Sequence, residues 1–136
     1  MKIVLDTNVL ISALIKQGKP RNLSREIIHN HTLIISKELL EELAITSNEP
    51  KILRYVNQQD IADFLRDLAS SAEFVRTRSR FRLVKDDPED DIVLRTAFDG
   101  KASYVASGDK HLLALKQFRR IKIVTVDEML KILTRS

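Results

Sequence analysis

The chain alternates short apolar runs with longer segments whose apolar residues recur every three or four positions. The short runs predict strands at Lys2–Leu5, 32–35, 73–84, Tyr104–Ala106 and 121–126. The longer segments predict helices at Thr7–Ile15, 21–29, 36–45, Gln58–Ser71, Pro88–Asp99, Lys110–Leu115 and 127–133. Strands separated by helices pair in parallel through right-handed crossovers. The pattern therefore predicts an α/β fold, a three-layer α/β/α sandwich around a central, mainly parallel sheet of four or five strands.

Three residues mark predicted ends of helices. Ser36 suits an N-cap because its hydroxyl can accept a hydrogen bond from the first helical turn. Pro88 closes a predicted turn and suits the start of the next helix, where a missing N–H loses no intrahelical partner. Gly100 suits the C-cap of that helix because glycine adopts the left-handed conformation readily.

Composition narrows the class of protein. The chain has 136 residues, of which 43% are hydrophobic and 31% charged, so we expect one folded domain spanning residues 1–136. It contains no cysteine, which excludes disulfides, cysteine-ligated zinc and thiol chemistry. With no apolar run of ~20 residues and no signal-peptide pattern, we expect a cytoplasmic protein without membrane association. The net charge of +4 permits a polyanionic partner without requiring one.

Carboxylates lie on every predicted element that reaches one edge of the sheet. In open α/β sheets, ligands bind beyond the carboxyl ends of the strands. Asp6 ends the first strand, and Asp109 follows the Tyr104–Ala106 strand. The helices that begin at this edge carry further carboxylates, at Glu38, Glu41, Glu42, Glu89, Asp90 and Asp91.

Helical geometry selects among these neighbours. Glu42 lies roughly 105° from the centre of the apolar stripe of its helix, whereas Glu38 and Glu41 lie roughly 150° away. Asp90 falls within roughly 10–20° of the stripe on the next helix, and Asp91 lies about 90° off. We therefore expect Glu42 and Asp90 to point inward, although the adjacent acidic pair leaves the primary ligand uncertain by one residue.

Each carboxylate also has an ordinary structural explanation when taken alone. Asp6 and Asp109 suit helix caps, Asp90 suits a contact with a helix dipole, and Glu42 suits a partly solvated flank. Together, however, carboxylates converging on one edge would repel one another and raise each other's pKa. Divalent cations remove that conflict, and all-oxygen ligands favour one or two Mg²⁺ or Mn²⁺ ions.

Four short motifs occur in order, at residues 3–9 (IVLDTNV), 35–43 (ISKELLEEL), 87–91 (DPEDD) and 107–113 (SGDKHLL). In this order and spacing they resemble the motifs of PIN-domain ribonucleases, which include the VapC-like toxins of bacterial toxin–antitoxin pairs. The resemblance implies a PIN-like sandwich that cleaves single-stranded RNA with Mg²⁺ or Mn²⁺. It also implies a cognate antitoxin protein as a partner, and a homodimer.

The resemblance assigns roles to individual residues. The catalytic and metal-binding residues that it implies are Asp6, Glu42, Asp90 and Asp109. We expect Asn8, Ser107 and Asp91 to orient those carboxylates or water. Ser107 stands where many family members have threonine, which keeps the hydroxyl. The alternatives to a nuclease are a catalytically inactive RNA- or partner-binding module and a phospho-acceptor domain; the second lacks its acidic pair after strand one.

Basic residues outside these motifs have two interpretations. The alternating arginines are Arg76, Arg78, Arg80 and Arg82. A period of two puts them on one face, either as an RNA-binding rail for phosphates or as a solvated edge strand, and we favour the second. A second cluster comprises Lys116, Arg119, Arg120 and Lys122. We interpret His111 as a surface or helix-packing residue, and the few aromatic residues predict no base-stacking platform.

Overall fold

The computed structural model of this chain describes residues 1–81 and 88–135. The strands are β1 (Lys2–Leu5), β2 (Thr32–Ser36), β3 (Glu73–Val75), β4 (Tyr104–Ala106), β5 (Gln117–Phe118) and β6 (Ile121–Val124). The helices are α1 (Thr7–Ile15), α2 (Lys19–Asn30), α3 (Lys37–Ser47), α4 (Pro50–Leu53), α5 (Gln58–Ser71), α6 (Pro88–Asp99), α7 (Lys110–Leu115) and α8 (Val126–Thr134). Arg82 and the first two residues of the turn predicted before Pro88 lie outside the described residues. Across the described ranges, none of the helices is long and apolar enough to cross a membrane.

The strands form one sheet in the order β3-β2-β1-β4-β6-β5. All neighbouring strands are parallel except β5, which runs antiparallel to β6. The predicted mainly parallel sheet is therefore confirmed, but the described residues contribute six strands to it rather than four or five. The additional strand is β5, whose 2 residues are too few to produce a recognisable pattern.

Side chains of the inner strands alternate between two core clusters. In β1, Ile3 and Leu5 belong to one cluster and Val4 to the other, as a period of two requires. Helices α1, α2, α5 and α8 cover the first face, and α6 and α7 cover the second. Helix α3 contributes Leu43 to the first cluster and Leu39 to the second. Both faces of the sheet are thus buried, which confirms the three-layer sandwich.

Within the described residues, the strand predicted at 73–84 is confirmed only over β3, and residues 82–84 lie outside the described part of the chain. Residues 76–81 have no regular secondary structure. Two of their backbone N–H groups donate to the carboxylate of Asp99 on α6 and not to a neighbouring strand. The backbone N–H groups of Arg78 and Ser79 donate to Asp99 Oδ2 at 2.7 and 3.1 Å. The segment is therefore fixed to the end of α6 and not to the sheet.

The structure confirms the predicted N-cap at Ser36 and changes the explanation for the glycine at position 100. Ser36 caps α3, with its Oγ accepting the backbone N–H of Leu39 at 3.2 Å. After α6, the residue in the left-handed region is Lys101, with φ 55°, and not Gly100. A Cβ atom at Gly100 would lie 2.5 Å from Ile34 Cγ2. The glycine is therefore required by close packing against β2 rather than by its backbone conformation.

Candidate active site

The chain changes its direction of travel across the sheet between β1 and β4. From β1 it moves outward to β2 and β3, and it then returns to place β4, β6 and β5 on the other side of β1. Open α/β sheets bind ligands at the carboxyl edge of such a switch point. Asp6 directly follows β1, and its backbone N–H donates to Ala106 O at 3.0 Å. Residues 107–109 follow β4, so the two segments meet at this edge.

A buried hydroxyl joins these two segments. The Oγ of Ser107 donates to Asp6 Oδ2 at 2.7 Å, and it accepts the backbone N–H of Asp109 at 2.9 Å. Ser107 is fully buried and Asp6 is only 5% exposed. Because a buried carboxylate is costly unless it is hydrogen-bonded, Ser107 both stabilises Asp6 and fixes the turn that presents Asp109.

Asp109 has two sets of neighbours. Its Oδ1 accepts the backbone N–H groups of His111 and Leu112 at 2.7 and 3.2 Å, and it thereby caps α7. Carboxylate and imidazole atoms of Asp90, Asp109 and His111 also lie within 4.8 Å of one another. Two ligands of one Mg²⁺ ion lie at most about 4.2 Å apart, since each bond is about 2.1 Å long. Small side-chain rotations would bring these three residues to that separation.

Asp90 and Asp91 occupy the first turn of α6, and each is only 3% exposed. The burial of Asp90 confirms its predicted inward direction. Asp91 is equally buried, although it lies about 90° from the centre of the predicted apolar stripe. Of the two, Asp90 is the one that belongs to the cluster with Asp109 and His111.

Glu42 is the inward glutamate of α3, as predicted. It is half-buried with one carboxylate oxygen shielded from solvent, whereas Glu38 and Glu41 are exposed. Partial burial raises the pKa of Glu38, but hydrogen bonds from Thr77 and the backbone outweigh it and hold that pKa below its usual value. Within the described part of the chain, the cluster defined by the 4.8 Å separation does not include Asp6 or Glu42.

The structure adds polar residues that the sequence analysis did not single out as part of the site. Thr7 is 4% exposed, and its Oγ1 has no hydrogen-bond partner among residues 1–81 and 88–135. The His111 side chain is 70% exposed, as expected for a surface residue, yet its Nδ1 lies 3.6 Å from Asp109 Oδ1. Two features of the sequence could have identified these residues: Thr7 directly follows Asp6, and His111 lies in the first turn of the helix after Asp109.

Asn8, which we predicted to orient carboxylates or water, is exposed and lines an open cleft of about 550 Å³.

The arginine segment lies beside the helices that carry two of the carboxylates. Arg76, Arg78 and Arg80 are exposed, and the residues between them are half-buried. The predicted alternation between exposed arginines and more buried residues is therefore present, although the segment is not a strand. Arg78 and Arg80 line a cavity of about 270 Å³ together with residues of α3 and α6. These helices also carry Glu42 and Asp90, but Arg78 and Ser79 are bonded to Asp99, at the opposite end of α6 from Asp90.

Comparisons with known proteins agree with this architecture. A family model described as PIN domain matches residues 2–111. An uncharacterised protein of Methanocaldococcus jannaschii is 32% identical over 122 residues, which cover 85% of this chain and 76% of that protein. PAE2754 from Pyrobaculum aerophilum has a similar structure, with a TM-score of 0.69 and 16% identity over 100% of this chain and 91% of its own. VapBC2 from Rickettsia felis, solved with a DNA fragment from its promoter, gives a TM-score of 0.63 and 15% identity over 90% of this chain and 97% of the matched one. At these identities, the two solved structures support the fold alone.

Proposed function

The chain belongs to the PIN-domain family, whose members are generally nucleases, and we propose that it is a metal-dependent endoribonuclease acting on single-stranded RNA. The observation that carries this proposal is the meeting of Asp6, Ser107, Asp109 and Asp90 at the switch point of the sheet. Buried carboxylates at that position have no role in filling the core, and they suit the binding of a cation.

The residues at this edge fit one or two divalent ions. Asp6 and Asp90 are buried carboxylates, and the atoms of Asp90, Asp109 and His111 already lie within 4.8 Å of one another. The buried Thr7 hydroxyl has no hydrogen-bond partner within the described structure. Oxygen donors suit Mg²⁺ or Mn²⁺, and the nitrogen of His111 would favour Mn²⁺ of the two.

Each side chain has a proposed task. A bound divalent ion supplies charge neutralisation for the phosphate and a lower pKa for the attacking water. Asp6, held by the Ser107 hydroxyl at the end of a rigid strand, would hold the ion together with Asp90, Glu42 and Asp109, which would complete the catalytic and metal-binding set. Ser107, Asn8 and Asp91 orient those carboxylates.

We assign the substrate from the arrangement of charge. Arg76, Arg78 and Arg80 present exposed guanidinium groups beside α3 and α6, where they suit the phosphates of a flexible single strand. Their intervening residues hold the segment in place, since Thr77 bonds to Glu38 on α3 and Ser79 to Asp99 on α6. Arg82 continues the same alternation in the sequence but lies outside the described residues.

We also propose that the chain is the toxin of a toxin–antitoxin pair and can form a homodimer. A cognate antitoxin would silence cleavage by covering the acidic edge, with a basic side chain among the carboxylates.

A groove of about 700 Å³ between α2 and α5 offers a further contact surface for a protein partner. Its charged walls are formed by Arg21, Arg25, His29, Asp60, Asp63 and Asp67. Co-purification of a small protein that blocks activity supports this assignment, and a partner-free active protein that its host tolerates contradicts it. The proposed homodimer is tested by light scattering, which measures the molar mass of the purified protein in solution.

Cleavage of an end-labelled single-stranded RNA tests the enzymatic proposal. The wild type should cleave with Mn²⁺, and EDTA should abolish cleavage. Asp6→Asn should be inactive yet folded, because the amide oxygen still accepts the Ser107 hydroxyl. Asp67→Asn, which makes the same change at an exposed position on α5, is the matched control and should remain active. RNA binding without metal-dependent cleavage, equal in wild type and Asp6→Asn, would instead support a catalytically inactive binding module.

A further inference from the structure

The hairpin between β5 and β6 carries an arginine in an unusual conformation. Phe118 pairs with Ile121, so Arg119 and Arg120 form a two-residue turn. Arg119 has φ 56°, a left-handed value that glycine favours at the first position of such turns. A side chain in this region costs about 1–2 kcal/mol, so contacts made by the arginine must offset that strain.

Those contacts are made with three aromatic rings. The guanidinium carbon of Arg119 lies 4.3 Å from the ring centroid of Phe98, 5.1 Å from that of Phe118 and 5.6 Å from that of Phe81. The rings pack on one another, with centroid separations of 5.0 to 6.4 Å. Arg119 is exposed and Phe98 is 36% exposed. The structure therefore presents a cation–aromatic surface that the sequence analysis did not anticipate.

A cavity of about 480 Å³ adjoins this surface. Phe98 lines it, and so do three cations, Lys101, Arg119 and Arg120. No acidic residue in the described ranges contributes to its lining. The cavity lies where Lys101 and the hairpin precede β4 and β6, which is the amino edge of the sheet, opposite Asp6. It is therefore separate from the acidic edge.

We propose that this cavity binds one nucleotide of single-stranded RNA, with the base stacked on the Arg119 guanidinium and a phosphate held by Lys101 and Arg120. A planar guanidinium supported by aromatic rings is a stacking surface for any base, and the neighbouring cations match the charge of the backbone. An acidic peptide would also match the charge, but it would make no use of the planar stacking surface. This inference rests on the proposed function, because it extends the path of the same RNA substrate.

Phe81 connects the cavity to the arginine segment. The Phe81 carbonyl accepts two hydrogen bonds from Arg95, at 3.0 and 2.7 Å, and its ring contacts those of Phe98 and Phe118. The exposed guanidinium groups of Arg78 and Arg80 therefore precede, along one anchored segment, the ring that supports Arg119. An RNA strand that follows these cations from the acidic edge would end at the cavity.

The location predicts a dependence on RNA length. A four-residue strand such as β1 spans about 13 Å, so a ligand at the acidic edge reaches the cavity only if it is longer than a few nucleotides. A 12-nucleotide RNA can therefore occupy the acidic edge and the cavity together, whereas a trinucleotide occupies one of them at a time, so the cavity should favour binding of the longer RNA.

Fluorescence anisotropy with labelled 12- and 3-nucleotide RNAs tests the inference, using Asp6→Asn protein to prevent cleavage. Arg119→Gly removes the guanidinium and relieves the strained backbone, so the variant should fold. It should weaken binding of the 12-nucleotide RNA about tenfold and narrow the difference in affinity between the two RNAs. Lys116→Gly is the matched control, because Lys116 also has a left-handed φ of 59° and an exposed charge but does not line the cavity.

The remaining outcomes separate the inference from the proposed function. Arg119→Lys keeps the charge, so full retention of affinity in that variant would overturn base stacking and leave only an anion site. Equal losses for Arg119→Gly and Lys116→Gly would overturn the cavity as a site. If the wild type cleaves RNA while Arg119→Gly binds normally, only the inference fails. If the wild type neither cleaves nor binds RNA, the proposed function fails as well.

Discussion

Replacing Asp90 by asparagine should stabilise the metal-free protein and remove its response to divalent ions. Asp90 is 3% exposed, and its carboxylate approaches that of Asp109 within 4.8 Å. Two like charges at 4.8 Å repel by about 3.5 kcal/mol at an effective dielectric constant of about 20, and by about 0.9 kcal/mol at about 80. We therefore expect Asp90→Asn to raise the free energy of unfolding by about 1–3 kcal/mol in EDTA at neutral pH.

Thermal denaturation followed by circular dichroism measures both effects. For a domain of this size, each kcal/mol shifts the Tm by roughly 3–6 °C. A metal ion at a hundred times its Kd stabilises the native state by about 2.7 kcal/mol. The wild type should therefore melt at a higher temperature with Mn²⁺ than with EDTA, whereas Asp90→Asn should melt at nearly the same temperature in both.

Asp91→Asn provides the matched control. Asp91 is as buried as Asp90 and undergoes the same chemical change, but it lies outside the cluster with Asp109 and His111. It should not gain stability in EDTA, and it should keep most of the response to Mn²⁺, because its proposed task is to orient carboxylates and not to bind the ion. A full Mn²⁺ response in Asp90→Asn, or its loss in Asp91→Asn instead, would refute the assignment of the ion to this cluster.

Three further substitutions test the supporting structure. Ser107→Ala removes a buried hydroxyl with two hydrogen bonds and should lower the free energy of unfolding in urea by about 2–4 kcal/mol; unchanged stability would contradict its bridging role. Gly100→Ala would place a Cβ 2.5 Å from Ile34 Cγ2 and should cost about 1–3 kcal/mol in the same assay, unless the packing relaxes. Burial raises the pKa of Asp99, but hydrogen bonds from the 76–81 segment outweigh it and hold that pKa below its usual value. Asp99 therefore stabilises the segment at higher pH, and this contribution is lost as the pH falls through the lowered pKa. Amide NMR signals of the segment should show that transition, and Asp99→Asn should abolish it.

The fold was predictable where local pattern and tertiary environment agree. The alternation of Ile3, Val4 and Leu5 matches a strand covered on both faces, and the apolar periodicity of α5 matches its observed bounds. The errors arose where tertiary contacts decide the outcome. Residues 76–81 alternate like a strand, but hydrogen bonds to Asp99 hold them away from the sheet.

The candidate site was predictable to the extent that topology determines it. Asp6 and Asp109 follow parallel strands, and such strand ends meet at one edge of the sheet whatever their separation along the chain. The equal burial of Asp91 was not predictable, because tertiary packing decides whether a position about 90° from the centre of an apolar stripe is covered. The approach of His111 to Asp90 likewise depends on how α7 is placed against α6, which no local pattern specifies.

The acidic edge and the basic surfaces place opposite demands on an RNA strand. The carboxylates at the switch point repel phosphate, whereas exposed arginines on the 76–81 segment and at the β5–β6 hairpin attract it. Under the proposed function, the attraction comes from the arginines, and the edge admits a phosphate only once a cation has neutralised it. RNA affinity without metal should then depend on Arg119 and on ionic strength, while cleavage depends on Asp90. Arg119→Gly and Asp90→Asn should therefore alter different measurements, so either assignment can fail while the other stands.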